Sequence, residues 1–255
     1  MNAHTVNEQS PALASEHRGA AQLIVVNDEL KQFHLTNGRV SMILKVVEGK
    51  LINLYTGAAV PEQGDYGYLV DDRFRVLSTA ANDTGEHRIE QMRQEFPEYG
   101  RGDYRQPSIT VLQSNGSRIT DLKFADYRIE PGKPELDGLP STHAAPGEAA
   151  TLSIDLTDEL IGLTVTLRYT IFRDEPVIAR SAVIANNGGE PVTLERVASL
   201  NLDLPDSEYV MTEFVGAWAR ERKPYAQPLH PGTQQIGSMW GASSPYFSPN
   251  ALFAR

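Results

Sequence analysis

Asp65, Asp71, Asp72, Arg73 and Arg75 crowd around Tyr66 and Tyr68 in the stretch GDYGYLVDDRFRVL, residues 64–77. Carboxylates and guanidinium groups that bond hydroxyls, set beside aromatic faces that take ring C–H groups, are the means by which proteins hold sugars. The same residues also read as a solvated strand edge whose charges discourage pairing with other chains, and charged edges are common. A second dense stretch, FPEYGRGDYRQPSI at 96–109, alternates Gly with charged and aromatic residues. Gly100 and Gly102 imply irregular backbone, so Asp103 and Arg105 are expected to be struts bonding loop carbonyls and amides rather than catalysts. The third is GAWARERKPYAQPL at 216–229. If it is extended, Trp218, Arg220 and Arg222 fall on one face and Ala217, Ala219 and Glu221 on the other. That pattern predicts a strand between two sheets, with a guanidinium beside the indole.

Other chemistries lack their residues. Neither G-x-x-x-x-G-K-[ST] nor G-x-G-x-x-G occurs, so nucleotide binding is not expected. His4, His17, His34, His87, His143 and His230 are scattered with no two at ligand spacing, so no metal and no cofactor is expected. GAS and GSM do not make a nucleophile elbow. A glycosidase needs only two carboxylates about 5 to 9 Å apart, and the sequence nominates no such pair.

The elements that must position these residues are strands. In GLTVTLRYTIF, Leu163, Val165, Leu167, Tyr169 and Ile171 share a face opposite Thr164, Thr166, Arg168 and Thr170, a half-buried strand. RDEP then makes a turn and VIARSAVIAN alternates again up to NNGGEP, which predicts an antiparallel hairpin over 162–187. Further short β-rich runs are QLIVVN, VSMILKVV, GKLINLY, SITVLQ, TLSIDLTD, PVTLERVASLNLDL and YVMTEFVGAWARE, parted by Asn-Gly, Gly-Lys-Pro and Pro-Asp. Many short strands between turns suggest a β-sandwich. The one helical candidate is GEHRIEQMRQEF, residues 85–96, with a thin apolar face and Pro97 at its end. Residues 1–22 show neither periodicity and read as a mobile leader, leaving 23–255 as a single sandwich domain.

Composition sets the outer bounds. The chain has 255 residues, 40% hydrophobic and 22% charged, an ordinary globular mixture with room for a large core. A net charge of −10 repels phosphate backbones and anionic lipid, so neither nucleic acid nor a membrane is an expected partner. The absence of cysteine fits a reducing compartment, and no secretory signal is evident, so the expected location is cytoplasmic.

GAWARER preceded by LDLPD resembles the N-terminal sandwich domain of the glycoside hydrolase family 36 α-galactosidases. Other family landmarks follow in order: FHLTNG (33–38), PEYGRGDYR (97–105), NGSR (115–118), DLKFADYRI (121–129), GKPELDGLP (132–140), GLTVTLRYTIF (162–172), Arg180-Ser181 and GAS with Ser244 (241–244). The likeness runs from about Phe33 to the C-terminus. It departs from the family near the end, where Pro245 follows Ser244 and the later order is Pro249-Asn250.

The resemblance implies an all-β fold, a large antiparallel β-sandwich, here truncated at its C-terminal end, that precedes a (β/α)8 barrel. In the family the barrel carries both catalytic aspartates of a retaining mechanism releasing terminal α-linked galactose, as from melibiose or raffinose. The nucleophile belongs to a Lys-Trp-Asp motif, and neither Trp218 nor Trp240 is followed by Asp. The chain is therefore expected to be a non-catalytic fragment, inactive alone, whose partners are its own catalytic barrel, a galactoside and further copies of itself. Sandwich loops of one family subunit help wall the sugar pocket of a neighbour. Asp65 matches the Asp of the family's D-[FY]-x-x-L run and Arg75 lies where a basic residue is common, so both are expected accessory substrate contacts. Trp218, Arg220, Glu221, Asp103 and Arg105 are the structural signature. Two alternatives stand beside this: a stand-alone carbohydrate-binding or oligomerisation module, and part of a relative that transfers galactose to sugars. An unfinished sheet would also expose edges and an apolar face, so poor solubility is expected of the isolated chain.

Overall fold

The computed structural model describes residues 23–70, 91–100, 102–138, 141–238, 240 and 244–254. One compact unit ends at Asp203 and a second begins at Leu204. Among the described residues the paired strands are antiparallel, and a 3-10 turn lies at Gly67–Leu69.

The first sheet is a meander of β1 (Ile24–Asn27), β2 (Gln32–Thr36), β3 (Val40–Val47) and β4 (Lys50–Ala58), paired in chain order. Local turn chemistry enforces that order. Between β3 and β4 the loop is Glu48-Gly49, with φ of 49° and 80°, the paired positive angles that match a two-residue turn to strand twist. A second sheet runs β6 (Lys123–Pro131), β7 (Ala149–Asp158), β8 (Leu163–Phe172) and β9 (Ile178–Asn186), also in chain order. The expected hairpin is present, in register from Leu163↔Asn186 to Ile171↔Ile178. Among the described residues a short pair, β5 (Ile109–Leu112) with β10 (Thr193–Val197), completes this unit's strands.

Alternation decides what is buried. Leu163, Val165, Leu167, Tyr169 and Ile171 of β8 are all fully buried, and they share one core with Phe33, Leu35, Leu44, Leu51, Ile109, Val111, Leu152 and Ile154. That core is the filling of a β-sandwich. The first sheet also has a second apolar face, where Ile43, Val47, Ile52 and Leu54 form a smaller cluster closed by Tyr66 and Met92. A strand buried on both faces is uncommon in an antiparallel sheet, and here it exists because loop segments cover the outer face.

Two expectations differ from the structure. Of the helical candidate, residues 85–90 lie outside the described residues, and 91–96 form irregular backbone that bonds to the β4 edge. Asn53 N–H donates to the Arg93 carbonyl at 2.8 Å and Glu95 N–H to that of Leu51 at 2.9 Å. The open edge of β4 satisfies these groups, and with so thin an apolar face a helix had nothing comparable to offer.

The second correction concerns Trp218. The later unit holds β11 (Val210–Ala217), β12 (Arg220–Pro228) and β13 (Phe247–Ala254), ordered β12-β11-β13. Ala217 pairs with Arg220, so Trp218 and Ala219 are the turn of a hairpin, and Trp218 is 84% exposed. The expected strand running through Trp218, Arg220 and Glu221 is broken because Ala219 adopts φ of 60°, which reverses the chain. A left-handed alanine carries strain of about 1 kcal/mol that glycine avoids. Ala219→Gly should therefore raise stability by about 0.5–1 kcal/mol, read as a higher urea midpoint; a lower midpoint would contradict the turn geometry.

Candidate functional site

The loop after β4 carries Asp65, and its shape follows from side chains rather than from backbone pairing. Tyr66, the next residue, is 1% exposed and serves as the plug of the smaller core. With Tyr66 driven inward, its neighbour Asp65 faces out, and 60% of the Asp65 side chain is exposed. Asp65 Oδ1 accepts the Gly67 N–H at 2.7 Å and stands 3.5 Å from Lys45 Nζ. The Gly67 bond holds this carboxyl below the ordinary range and Lys45 adds to it, against a small opposing effect of burial. Asp65 is thus ionised at neutral pH, an acceptor with unfilled lone pairs facing solvent. Tyr68, 70% exposed, has its ring 6.5 Å from that of Tyr66 and donates its hydroxyl to Gln63 Oε1 at 3.1 Å. Arg75, with Asp71, Asp72 and Arg73, lies outside the described residues.

Four side chains from β1, β2 and β3 stitch this loop down. Asn27 Nδ2 and Gln32 Nε2 donate to the Gly64 carbonyl at 3.0 and 3.3 Å, while Gln32 Oε1 accepts the Tyr66 N–H at 2.9 Å. His34 is buried, with Nδ1 2.5 Å from Glu62 Oε2 and Nε2 2.9 Å from Ser41 Oγ. Ser41 Oγ in turn accepts the Val60 N–H at 3.1 Å. Beside this array a surface recess is lined by Val25, Asp28, Glu29, Gln32, His34 and Glu62. Sequence reasoning missed His34, Glu62 and Gln32, because residues 28 to 34 positions apart meet only once the strands are paired.

Asp103 and Arg105, expected as struts to loop carbonyls and amides, also bond each other. Asp103 is 3% exposed, and Arg105 Nε and Nη2 bond its two oxygens at 3.0 and 2.7 Å. Arg105 also donates to the Met92 carbonyl at 2.8 Å and to Asp203 at 3.2 Å. Burial raises the Asp203 carboxyl, opposed by Arg105. Next to this, Glu95 accepts from Asn53 Nδ2 at 2.7 Å and from the Tyr169 hydroxyl at 2.8 Å, and Arg180 lies 3.4 Å from it. A third buried group joins Lys50 to Glu98, to Asp121 at 3.0 Å and to the Leu122 carbonyl at 2.8 Å. Each of these carboxylates is committed to a neighbour inside the fold, the arrangement of ties between loops and sheets. Among the described residues no three His, Asp or Glu side chains are placed to hold a metal, and no helix is long and apolar enough to cross a membrane.

Comparison with known proteins places this arrangement. Residues 49–255 match the glycosyl hydrolase family 36 N-terminal domain. The chain belongs to this family. It is 39% identical over 229 residues to the α-galactosidase AgaA of Geobacillus stearothermophilus, spanning 89% of this chain and 31% of that protein. The crystal structure of a Lactobacillus brevis α-galactosidase superposes with a TM-score of 0.85 at 36% identity, covering 90% of this chain and 31% of its own. A variant of AgaA solved in complex with raffinose gives a TM-score of 0.80 at 39% identity, over 86% of this chain and 31% of the other. The family 36 chain described here therefore spans about a third of the length of these relatives and corresponds to their N-terminal sandwich. The Lys-Trp-Asp motif does not occur in this sequence.

Proposed function

We propose that this chain is the non-catalytic sandwich of an enzyme that releases terminal α-D-galactosyl residues from oligosaccharides of the melibiose and raffinose kind. Its direct contribution to the sugar is Asp65, presented to a neighbouring subunit's pocket in a homo-oligomer, with Arg75 as its companion. The observation that supports this most is the exposure of an ionised Asp65 on a loop whose other residues are tied down. The Gly67 N–H and Lys45, both at Oδ1, take up only part of its accepting capacity. A carboxylate receiving two sugar hydroxyls, and a guanidinium donating to a third, would orient the substrate without breaking a bond. The raffinose complex of AgaA makes an oligosaccharide of this class the first ligand to try. The net charge of −10 and the lack of cysteine favour a cytoplasmic location and no membrane or nucleic-acid partner.

The test is Asp65→Ala in the full-length protein, assayed on raffinose and on a chromogenic α-galactoside. Loss of charge-assisted hydrogen bonds of about 1.5–3 kcal/mol should lower kcat/KM roughly 10- to 100-fold, mostly through KM. Unchanged KM on both substrates would remove Asp65 from the site.

A further inference from the structure

We infer that His34 and Glu62, with Ser41 and Gln32, are positioning residues for sugar recognition by the Asp65 loop; this rests on the function proposed above and deepens it.

The reason lies in where the loop amides go. Val60 N–H donates to Ser41 Oγ at 3.1 Å, Gln63 N–H to the Tyr66 hydroxyl at 3.1 Å, Gly64 N–H to Glu62 Oε1 at 2.7 Å and Tyr66 N–H to Gln32 Oε1 at 2.9 Å. None of these acceptors is a backbone carbonyl. The conformation of residues 60–66 is thus written in side chains, and the loss of any one of them frees amides that no strand will take up.

Glu62 occupies the crossing point. Its Oε1 closes the tight turn at Gly64, while its Oε2 reaches the buried His34 ring. One carboxylate therefore shapes the turn and anchors it to β2. An ionised carboxylate only accepts, so the His34 Nδ1–H must donate to it, and Nε2 is left facing Ser41 Oγ. Burial pushes the Glu62 carboxyl up, but the bonds from His34 and Gly64 outweigh it and hold it below its ordinary value. Tyr66 completes the latch. Its ring meets the His34 ring edge-on at 5.5 Å, and its hydroxyl donates to the Pro61 carbonyl, so the plug and the imidazole fix each other.

Asp65 sits between Gly64, held by Asn27 and Gln32, and Tyr66, held by Gln32 and the core. It has one rotatable side chain on a backbone pinned on both sides. Such preorganisation removes the ordering cost that a free loop would meet on binding sugar. A sandwich edge with no binding role has no need of it.

The experiment is amide hydrogen exchange on the full-length protein, comparing the wild type with Glu62→Ala, Glu62→Gln and His34→Gln, followed by galactoside kinetics on the same samples. Glu62→Ala and His34→Gln should speed exchange of the Val60, Gly64 and Tyr66 amides at least tenfold while the β3 and β8 amides keep their rates. Glu62→Gln, which retains an acceptor for Gly64, should show a smaller rise. KM for raffinose should increase at least fivefold in Glu62→Ala with kcat changed less than twofold, a split that general loosening of the fold would not give. Unchanged exchange at residues 60–66 in both Glu62→Ala and His34→Gln would overturn the latch. Faster exchange with unchanged KM would leave the latch standing and overturn its role in sugar recognition. If Glu62→Ala also exposes the β3 amides, Glu62→Gln decides: faster exchange of the Tyr66 amide alone supports the latch, and wild-type exchange overturns it.

Discussion

Glu95→Ala should destabilise the protein by about 3–5 kcal/mol, a large part of the 5–15 kcal/mol that holds a typical domain together. Glu95 is 1% exposed and accepts from Asn53 at 2.7 Å and from Tyr169 at 2.8 Å. It also faces the Arg180 guanidinium, which lies 5.5 Å from the centre of the Tyr169 ring. Truncation leaves an amide, a phenol and a cation in the interior with their carboxylate gone. The Arg180 bonds to the Glu95 and Asn201 carbonyls survive, at 2.6 and 3.2 Å, which keeps the cost from rising further. Burial and the Glu95 charge both push the Tyr169 hydroxyl well above its ordinary pKa, so it stays a donor at any working pH. Glu95→Gln retains an acceptor and should cost roughly half as much. Urea unfolding of the two variants beside the wild type measures both effects. A loss below about 1 kcal/mol for Glu95→Ala would mean that water enters and replaces the carboxylate.

Stability should also fall as pH rises from about 5 to 8, by up to about 3 kcal/mol, through Glu98 alone. Burial raises this carboxyl from its ordinary 4.5 to about 7, against the opposing pull of the Lys50 charge. Glu98 Oε2 is buried with no hydrogen-bond partner, so ionisation leaves charge on an oxygen that nothing solvates. Between pH 4.5 and 7 the folded protein holds a proton that the unfolded chain has released. The stabilising contribution is complete below about pH 4.5 and is lost as pH passes through 7. Glu98→Gln cannot ionise, and the difference between its unfolding free energy and that of the wild type cancels every other titrating group. That difference should move in favour of Glu98→Gln between pH 5 and pH 8. A pH-independent difference would show that Lys50 keeps Glu98 ionised throughout. Glu62 acts in the opposite sense, because its folded value is depressed: what it contributes is present above the ordinary carboxylate range and lost as pH falls through its lowered value.

Both effects arise where loops are tied to sheets, the same device that shapes the Asp65 loop. In this chain buried polar side chains hold loops where a strand ladder cannot reach. Positions 60–66 and the described residues of the segment before β5 are built in the same way, from Gln32 and His34 in one case and from Asp103 and Arg105 in the other.

How much of this was written locally can be seen strand by strand. Period-two alternation fixed β8 and its partner β9 without any tertiary knowledge, because a half-buried sheet accepts only one face of such a sequence. Glycine spacing marked the loop before β5 as irregular, and Asp103 and Arg105 as its struts, since irregular backbone needs side chains to bond its carbonyls and amides. Trp218 went the other way. Alternation in GAWARER fits a strand, but Ala219 takes a left-handed conformation that no local preference of alanine supplies, and the pairing of Ala217 with Arg220 imposes it. In the described part of the helical candidate, 91–96, a related reason applies: the edge of β4 offered that backbone its hydrogen bonds. The sequence by itself therefore determined the β class, the faces of β8 and the family. Only the tertiary structure decided the contacts of His34 with Glu62, of Glu95 with Tyr169 and Arg180, and of Lys50 with Glu98. These join residues 28 to 85 positions apart, and their energies exist only after paired strands have excluded water from between them.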